Sequence, residues 1–514
     1  MSVKVLMSKL WPKAGGRTRA VMIRNDSILR NINKHVEMYI MERTDDAEER
    51  ILEAKRRFST NFEIKDIFNQ IRYLKSNKTR LYTNSQYVFP IIDAFSNIQF
   101  QITSDGNLVT IFEDNQKKMT FYNVQGFENL DYFGDKKGQL DYLISNAKII
   151  TAFKNNRKKF RLVNDIHGRL LSIGKYDDDA NGYISEQYFN LYGQLIFEFM
   201  TQGEVKANQK RKFYLYIDEG HVFEGKDAEK KMTLYIWNKV LNIQDNDTVI
   251  VDEPKFYPLL LNSGTSATNR IFYFHWHNFG DNEKMVLQDK SMLKKVVFLT
   301  EYQRNDFLKK AGVKENNTLQ TKVIDNFLEL PNMQVKRSED EQIRILFIGR
   351  LAPEKNVQRV IETFNVFYQF NSNAQLTLIG DGQTKDDLEK RVRELGISKA
   401  VTFAGNILSP YESRYVEYVD VALLTPKKEA YGLVYPELIS RGIPVVTVDA
   451  PYGPRSWINE QNGELLPDDA SNDEISYAIS NLLKKDLSPE KVSNSIDIKK
   501  INDSVISKLT LLID

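Results

Sequence analysis

The chain reads as an α/β protein: two domains, each a parallel sheet flanked by helices, with an antiparallel β-meander inserted into the first. Three observations predict this. Short apolar runs alternate with helix-length segments over the first 70 or so residues, over 248–330 and over 343–500, the pattern of βαβ units. Between the first two regions, from about Tyr73 to Phe199, the pattern changes to short strands rich in Tyr, Phe, Ile and Val, broken by Gly, Asn and Asp turns. The length of 514 residues also exceeds what one ordinary core organises.

Taken in order, Val3-Lys-Val-Leu-Met7 is a first strand. The turn Pro12-Lys-Ala-Gly-Gly16 and a helix over about Arg17–Leu29 follow it, a β-loop-α start with glycines in the turn. In the meander region a motif recurs: Thr103-Ser-Asp-Gly-Asn-Leu108, Leu162-Val-Asn-Asp-Ile-His-Gly-Arg-Leu170 and Tyr188-Phe-Asn-Leu-Tyr-Gly-Gln-Leu195. Each places Asn or Asp before Gly and then Leu, as successive hairpins require. The α/β pattern returns near Phe213. Buried strands follow at Thr248–Asp252, Ile271–Phe274 and Lys295–Leu299, the last running into a helix with Thr300 as its N-cap. The polar stretch Lys336–Gln342 is the linker. The second domain has strands at 343–348, 375–379, 401–403, 419–424 and 444–448, with helices at 357–368 and 385–395. The resulting division is 1–72 with 205–335 as the first Rossmann-like domain, 73–204 as the meander, 343–500 as the second Rossmann-like domain and 501–514 as a C-terminal helix.

The bulk numbers narrow the function. With 41% hydrophobic and 27% charged residues the chain is a soluble globular type, and a formal net charge of +2 gives no reason to invoke nucleic acid. Basic clusters at Arg157-Lys-Lys159 and Lys210-Arg-Lys212 read either as solvated turns or as a track for a polyanionic acceptor. The chain has no cysteine, which excludes disulfides and thiolate chemistry. Its five unclustered histidines argue against a zinc site. No run approaches about 18 apolar residues, so no membrane span is expected. The expected location is the cytosol, at the inner membrane face.

Two loops of the second domain carry the chemistry. Glu429-Ala-Tyr-Gly-Leu-Val-Tyr-Pro-Glu437 follows an apolar strand and leads into a helix expected over about Leu433–Arg441, stopping at Gly442. A glycine in a strand-to-helix turn lets a ligand approach the backbone, and free N–H groups at a helix start favour a diphosphate. Ile348-Gly-Arg-Leu-Ala-Pro-Glu-Lys-Asn356 turns at Gly349 and brings Arg350 and Lys355 to the next helix start, a second diphosphate-binding feature. Two carboxylates and two cations around such turns suit a nucleotide sugar. In Phe274-His-Trp-His277, His275 or His277 ends a strand on the cleft side. Either histidine could serve the site, and a lone histidine at a strand end is more often structural. Asp381 reads as a turn residue.

The combination of Gly-Arg-Leu-x-Pro-Glu-Lys-Asn, Ile379-Gly-Asp-Gly382, Phe403-Ala-Gly-Asn406 and Glu-x7-Glu resembles the retaining GT-B glycosyltransferases of glycosyltransferase family 4. The resemblance is strong over about 343–465 and moderate over 248–330. Pro436 departs from it, standing where the family often has a small residue. The inserted meander narrows the resemblance to two groups. One is the bacterial wall teichoic acid α-glycosyltransferases, acting on poly(ribitol-phosphate) or poly(glycerol-phosphate). The other is the glycosyltransferases of Ser-rich surface adhesins.

The resemblance implies roles. Arg350 and Lys355 would bind the donor diphosphate and stabilise departing UDP, without a metal. Glu437 would hold the ribose hydroxyls, and Glu429 the donor sugar near its anomeric carbon. Gly16, Gly349, Asn406 and Gly432 would line the donor site, Leu433 and Val434 would offer backbone N–H groups, and His275 would contact the sugar. The donor would be UDP-GlcNAc or UDP-glucose, and the acceptor a repetitive polymer, teichoic acid before Ser-rich protein. A non-catalytic GT-B partner subunit is the remaining alternative. The open edges of the meander imply a homo-oligomer.

Overall fold

A computed structural model describes residues 2–7, 10, 16–41, 47–67, 70, 72–92, 97–103, 108–125, 130, 135–155, 157–165, 167–176, 183–201, 211–225, 227–257, 260, 269–290, 293–331, 334–336, 340–407, 409–485 and 487–514. Residues 11–15 and 104–107 of the expected turns, Lys210 and residues 337–339 of the expected linker lie outside them.

The first α/β sheet has seven parallel strands. In spatial order these are Leu319–Val323, Lys294–Phe298, Asn269–Phe274, Thr248–Val251, Ser2–Met7, His35–Ile40 and Glu63–Asp66. The chain order reverses between Ser2–Met7 and Thr248–Val251, which are neighbours in register from Val3 opposite Thr248 to Leu6 opposite Val251. The second sheet has six parallel strands in the order Val401–Gly405, Ala374–Ile379, Ile343–Ile348, Val421–Leu424, Val445–Val448 and Gly463–Leu466. It reverses in the same way between Ile343–Ile348 and Val421–Leu424. In open parallel sheets the crevice at such a switch point, at the carboxyl ends of the strands, is where ligands bind. Both loops singled out in the second domain leave its two switch-point strands.

The strands expected in the second domain are present, and the helix expected over 357–368 is Val357–Tyr368. The strand Gly463–Leu466 and the helix Asn472–Lys484 were not anticipated. Helix Gly16–Asn31 begins at the glycine pair. Thr300 caps the helix Glu301–Ala311 as expected, its hydroxyl accepting from Gln303 N at 3.1 Å.

The inserted sheet is a ten-stranded antiparallel meander with sequential neighbours, from Ile98–Ile102 to His221–Phe223. The recurring hairpin motif has a common chemistry. Asp165 accepts from the N–H groups of His167 and Arg169, and Asn190 accepts from those of Tyr192 and Gln194, at 2.9–3.0 Å. Gly168 and Gly193 follow with φ of +73° and +78°. A short polar side chain that bonds forward, then a residue free to turn left-handed, makes both hairpins.

Two expectations need correction here. Phe213 does not begin the returning α/β pattern: Arg211–Leu215 and His221–Phe223 are the last two meander strands, so the sheet runs past residue 204. The local reason is a period of two, with Phe213 and Leu215 buried and Lys212 and Tyr214 half-buried. Helix Ala228–Leu241 then seals this end of the meander onto the first domain, so Tyr188, Phe197, Phe213 and Leu215 share one core with Trp237, Val249 and Phe272. The other end has its own core, where a helix not read from sequence, Lys136–Asn146, buries Leu140, Leu143 and Ile144 against Phe121, Ile150 and Leu162. The basic cluster Arg157–Lys159 opens a strand and is not a turn.

The C-terminal helix, Ile498–Ile513, ties the two α/β domains together. Ile498 packs in the core of the second domain, whereas Val505, Leu509, Leu512 and Ile513 pack in that of the first. Its last carbonyls are taken up by the first domain: Lys295 Nζ and Asn269 Nδ2 donate to Leu512 O at 2.6 and 3.1 Å. A cation at the helix C-terminus also suits the helix dipole.

Candidate active site

The switch point of the second sheet draws two loops together. Lys427 N donates to Glu354 O at 2.9 Å, and the Thr425 hydroxyl donates to Asn356 O at 3.1 Å, so the loops 349–356 and 425–433 are stitched by backbone carbonyls. Lys355 Nζ thereby forms a salt bridge with Glu429, the two side chains being 24% and 16% exposed. Arg350 reaches out from the same loop, more than half exposed, and pairs with Glu354 at 2.5 Å. Each cation thus already sits beside a carboxylate.

Glu429 is fixed by its own backbone. Its N–H donates to Pro451 O at 2.8 Å and its carbonyl accepts from Gly453 N at 2.8 Å. Gly432 then turns with φ +78°, and a Cβ there would run into the ring of Tyr435, so only glycine fits the turn without strain. The following helix is shorter than expected, Val434–Ile439 instead of Leu433–Arg441. Its first backbone bonds are Tyr435 N to Gly432 O and Glu437 N to Leu433 O, so the N–H groups of Leu433 and Val434 precede the hydrogen-bonded turns. Pro436 is accommodated because it lies in the first turn, where no N–H is required. Asn406 is exposed after the strand Val401–Gly405, and Asp381 closes its own turn by accepting from Gly382 N.

Glu437 lies deeper than Glu429. Its Oε1 accepts from Arg19 of the first domain at 2.6 Å and its Oε2 from the Tyr411 hydroxyl at 2.7 Å. Burial pushes its carboxyl upward, and Arg19 and the Tyr411 hydrogen bond oppose that shift.

The two histidines do different things. His275 Nε2 is 2.7 Å from Asp252, a fully buried carboxylate that also takes a two-pronged contact from Arg24 at 2.7 and 2.8 Å. Burial alone would raise Asp252, but Arg24 and His275 hold it well below the usual carboxylate range. The His275 side chain is only 5% exposed and turned into its own domain. His277, two residues on, stands in the field of the second domain. Burial first, then Lys428 and Lys355, lower its pKa, while Glu429 and Glu354 oppose them. Between the two, Gln303 Nε2 donates to Phe274 O at 3.0 Å and Trp276 O at 2.6 Å, pinning the turn that presents His277. Gln303 and Arg19 were not found by sequence reasoning. Neither belongs to a motif, and the partners that bring them to the site, Trp276 for Gln303 and Glu437 for Arg19, are distant in sequence.

Among the described residues, His35, Glu37 and Glu63 bring potential metal-ligating atoms within 4.8 Å of one another. Lys4 and Lys65 already occupy Glu37. The group lies at the amino ends of the strands, opposite the cleft. Among the described residues no helix is long and apolar enough to cross a membrane.

This architecture, two doubly wound domains facing across a cleft with an inserted meander, is the GT-B fold. The family model for Glycosyl transferases group 1 matches residues 330–497. Among curated relatives, the chain is 25% identical over 345 residues to the poly(ribitol-phosphate) alpha-N-acetylglucosaminyltransferase of Staphylococcus aureus, covering 64% of this chain and 65% of that protein. It is 24% identical over 348 residues to the poly(glycerol-phosphate) alpha-glucosyltransferase of Bacillus subtilis, covering 64% and 49%. The matches therefore span about two thirds and one half of those relatives. Among solved structures, S. aureus TarM in complex with Fondaparinux, alpha-GlcNAc-glycerol and UDP superposes with a TM-score of 0.77 at 18% identity, over the full length of both chains. The pneumococcal O-GlcNAc transferase GtfA, solved with UDP and GlcNAc, gives 0.72 at 14%, over 100% and 99%. The resemblance to the teichoic acid α-glycosyltransferases read from the sequence is borne out, and the O-GlcNAc transferase GtfA shares the fold.

Proposed function

We propose that the chain is a UDP-sugar-dependent retaining glycosyltransferase that transfers GlcNAc or glucose to hydroxyls of a repetitive cell-surface polymer, wall teichoic acid polyol-phosphate in the first instance. The observation that carries this reading is the Lys355–Glu429 salt bridge at the switch point of the second sheet, which the first-domain segment carrying His277 reaches where Asn278 accepts from Lys428 at 3.4 Å, with Glu437 in the helix that follows.

Arg350 and Lys355 exchange their carboxylate partners for the donor diphosphate and stabilise the charge that builds on departing UDP, with no metal. The N–H groups of Leu433 and Val434 face the same phosphates, with Gly16, Gly349, Asn406 and Gly432 lining the donor site. Glu437 receives the ribose hydroxyls. Glu429, freed from Lys355, lies against the sugar. His277, kept neutral at pH 7, bonds to a sugar hydroxyl, a role that falls to it because His275 is committed to Asp252. The acceptor hydroxyl attacks the anomeric carbon on the face that UDP leaves, and its proton passes to a phosphate oxygen. No covalent carboxylate intermediate is formed, unlike the retaining hydrolases.

The two carboxylates separate kinetically. Glu429→Gln is expected to depress kcat with UDP still bound, because positive charge develops beside it only in the transition state. Glu437→Gln is expected chiefly to raise KM for the UDP-sugar. Steady-state kinetics with UDP calorimetry separates them; the reverse pattern would exchange the roles.

The overall reading is tested by a screen of UDP-sugars against poly(ribitol-phosphate), poly(glycerol-phosphate) and a Ser-rich peptide, with product linkage determined by NMR. An α-linked sugar on a polyol supports it. Transfer to peptide alone replaces it with adhesin glycosylation. No transfer and no UDP binding would leave a non-catalytic partner.

We further propose cytoplasmic action at the inner membrane face, as a homo-oligomer built through the meander. The edge strand Ile98–Ile102, with Gln99, Gln101 and Ile102 exposed, supports this, since an open edge offers unpaired backbone groups to a second copy. Ile102→Pro, which removes an outward-facing N–H because Thr103 and not Ile102 bonds the neighbouring strand, is expected to lower the subunit count measured by light scattering. An unchanged count would place the interface elsewhere.

A further inference from the structure

We propose that Arg19 is a further donor-site residue: it holds Glu437 in the unliganded chain, gives it up to the ribose, and so sets donor affinity by competition. This rests on the reading of Glu437 as the ribose carboxylate.

The geometry is that of an occupied site. A ribose presents two neighbouring hydroxyls, and a carboxylate receives them best with one on each oxygen. Both oxygens of Glu437 are already taken, Oε1 by Arg19 at 2.6 Å and Oε2 by Tyr411 at 2.7 Å. The two partners are not equally able to leave. Tyr411 is buried, and its ring lies 4.2 Å from the Arg441 guanidinium. Its departure would strand a hydroxyl in the core. Arg19 lies on the open side, 24% exposed, on the first turns of helix Gly16–Asn31. It has a second seat: its Nε donates to Glu329 at 3.3 Å and its NH2 also pairs with that residue, which is half exposed. Arg19 can release Glu437 and remain paired, so the exchange leaves no buried charge unmatched.

The pair also links the domains. Arg19 belongs to the first sheet's opening helix and Glu437 to the second domain's short helix, 418 residues apart in sequence. The charged and titratable groups facing Glu437 are Arg19, Arg441, Tyr411 and Glu329, and burial pushes its carboxyl upward in their midst. A ligand that donates two hydroxyl hydrogen bonds replaces the stabilisation that Arg19 provides.

The test is calorimetric titration of UDP at pH 8 into the full chain and four variants. Arg19→Met is expected to bind UDP on the order of 10-fold more tightly, equal to about 1.4 kcal/mol. Glu329→Gln removes the alternative seat of Arg19 and is expected to weaken UDP several-fold. A merely structural role would move both variants in the same direction. In a Glu437→Gln background, Arg19→Met is expected to have no effect on UDP affinity. Weaker UDP binding in Arg19→Met would make Arg19 a direct donor contact and overturn the competition. Unchanged affinity in Arg19→Met, with Glu437→Gln still weakening UDP, would overturn it while sparing the ribose assignment. Unchanged affinity in Glu437→Gln would remove the ribose assignment and the exchange with it.

Discussion

Lys355→Ala is expected to lower kcat by roughly 100-fold, the usual cost of losing one preorganised contact to charge that develops in the transition state. Lys355 is held by the 353–355 turn at the mouth of the second sheet, against Glu429 and beside two loops tied by backbone bonds. Its charge is therefore at the site before the donor arrives, and in the proposed mechanism it exchanges Glu429 for the diphosphate. The side chain is about a quarter exposed, so loss of its salt bridge should cost no more than about 1 kcal/mol of stability. Activity and stability thus part company: melting temperature stays close to wild type while turnover falls. Arg350→Ala should behave in the same way, its more exposed salt bridge to Glu354 contributing still less to the fold. Turnover near the wild-type rate in both variants would remove the diphosphate clamp from the mechanism.

The second large effect separates the histidines. His277→Ala is expected to lower kcat by about 100-fold or more with little change in stability, since it would lose the contact to the sugar proposed for it. His275→Ala is expected to destabilise the first domain by about 1.5–3 kcal/mol, the worth of a hydrogen bond to a buried charged group, because it bonds Asp252 at 2.7 Å. Kinetics and thermal unfolding on both variants decide the matter. If His275→Ala folds with wild-type stability yet loses turnover, the assignment reverts to it. The pH profile carries the same distinction. Burial and the nearby lysines lower the His277 pKa, so its imidazole stays neutral below the ordinary histidine value of about 6.5. Activity should therefore persist into mildly acidic solution and fall only as pH drops through that lowered value. Asp252 acts on stability instead. With a folded pKa depressed by Arg24 and His275, it contributes stability present above its unfolded value of about 3.9 and lost as pH falls toward the folded value.

Much of this molecule is legible in the sequence because it is written in local rules. The central strands of the second domain, Val421–Leu424 and Val445–Val448, are nearly continuous apolar runs, since both of their faces are buried. The motif loops are legible because phosphate-approaching turns need glycine and cations at fixed spacing, as at Gly349, Arg350, Lys355 and Gly432. The Asp165 and Asn190 hairpins are legible because a side chain that bonds two and four residues ahead, followed by glycine, makes a turn without help from elsewhere. By itself, then, the sequence determined two doubly wound domains, an inserted meander and a second-domain loop pair suited to a nucleotide sugar. Tertiary structure decided the rest. Whether Arg211–Leu215 joins the meander or the α/β sheet depends on which strand it pairs with, and it pairs with Leu195–Thr201. Which of two histidines, two residues apart, faces the cleft depends on Asp252 drawing His275 inward. That Arg19 meets Glu437 across 418 residues depends on two domains closing on each other. Side-chain partnership at that separation is set by packing, on which neighbouring residues in the chain carry no information.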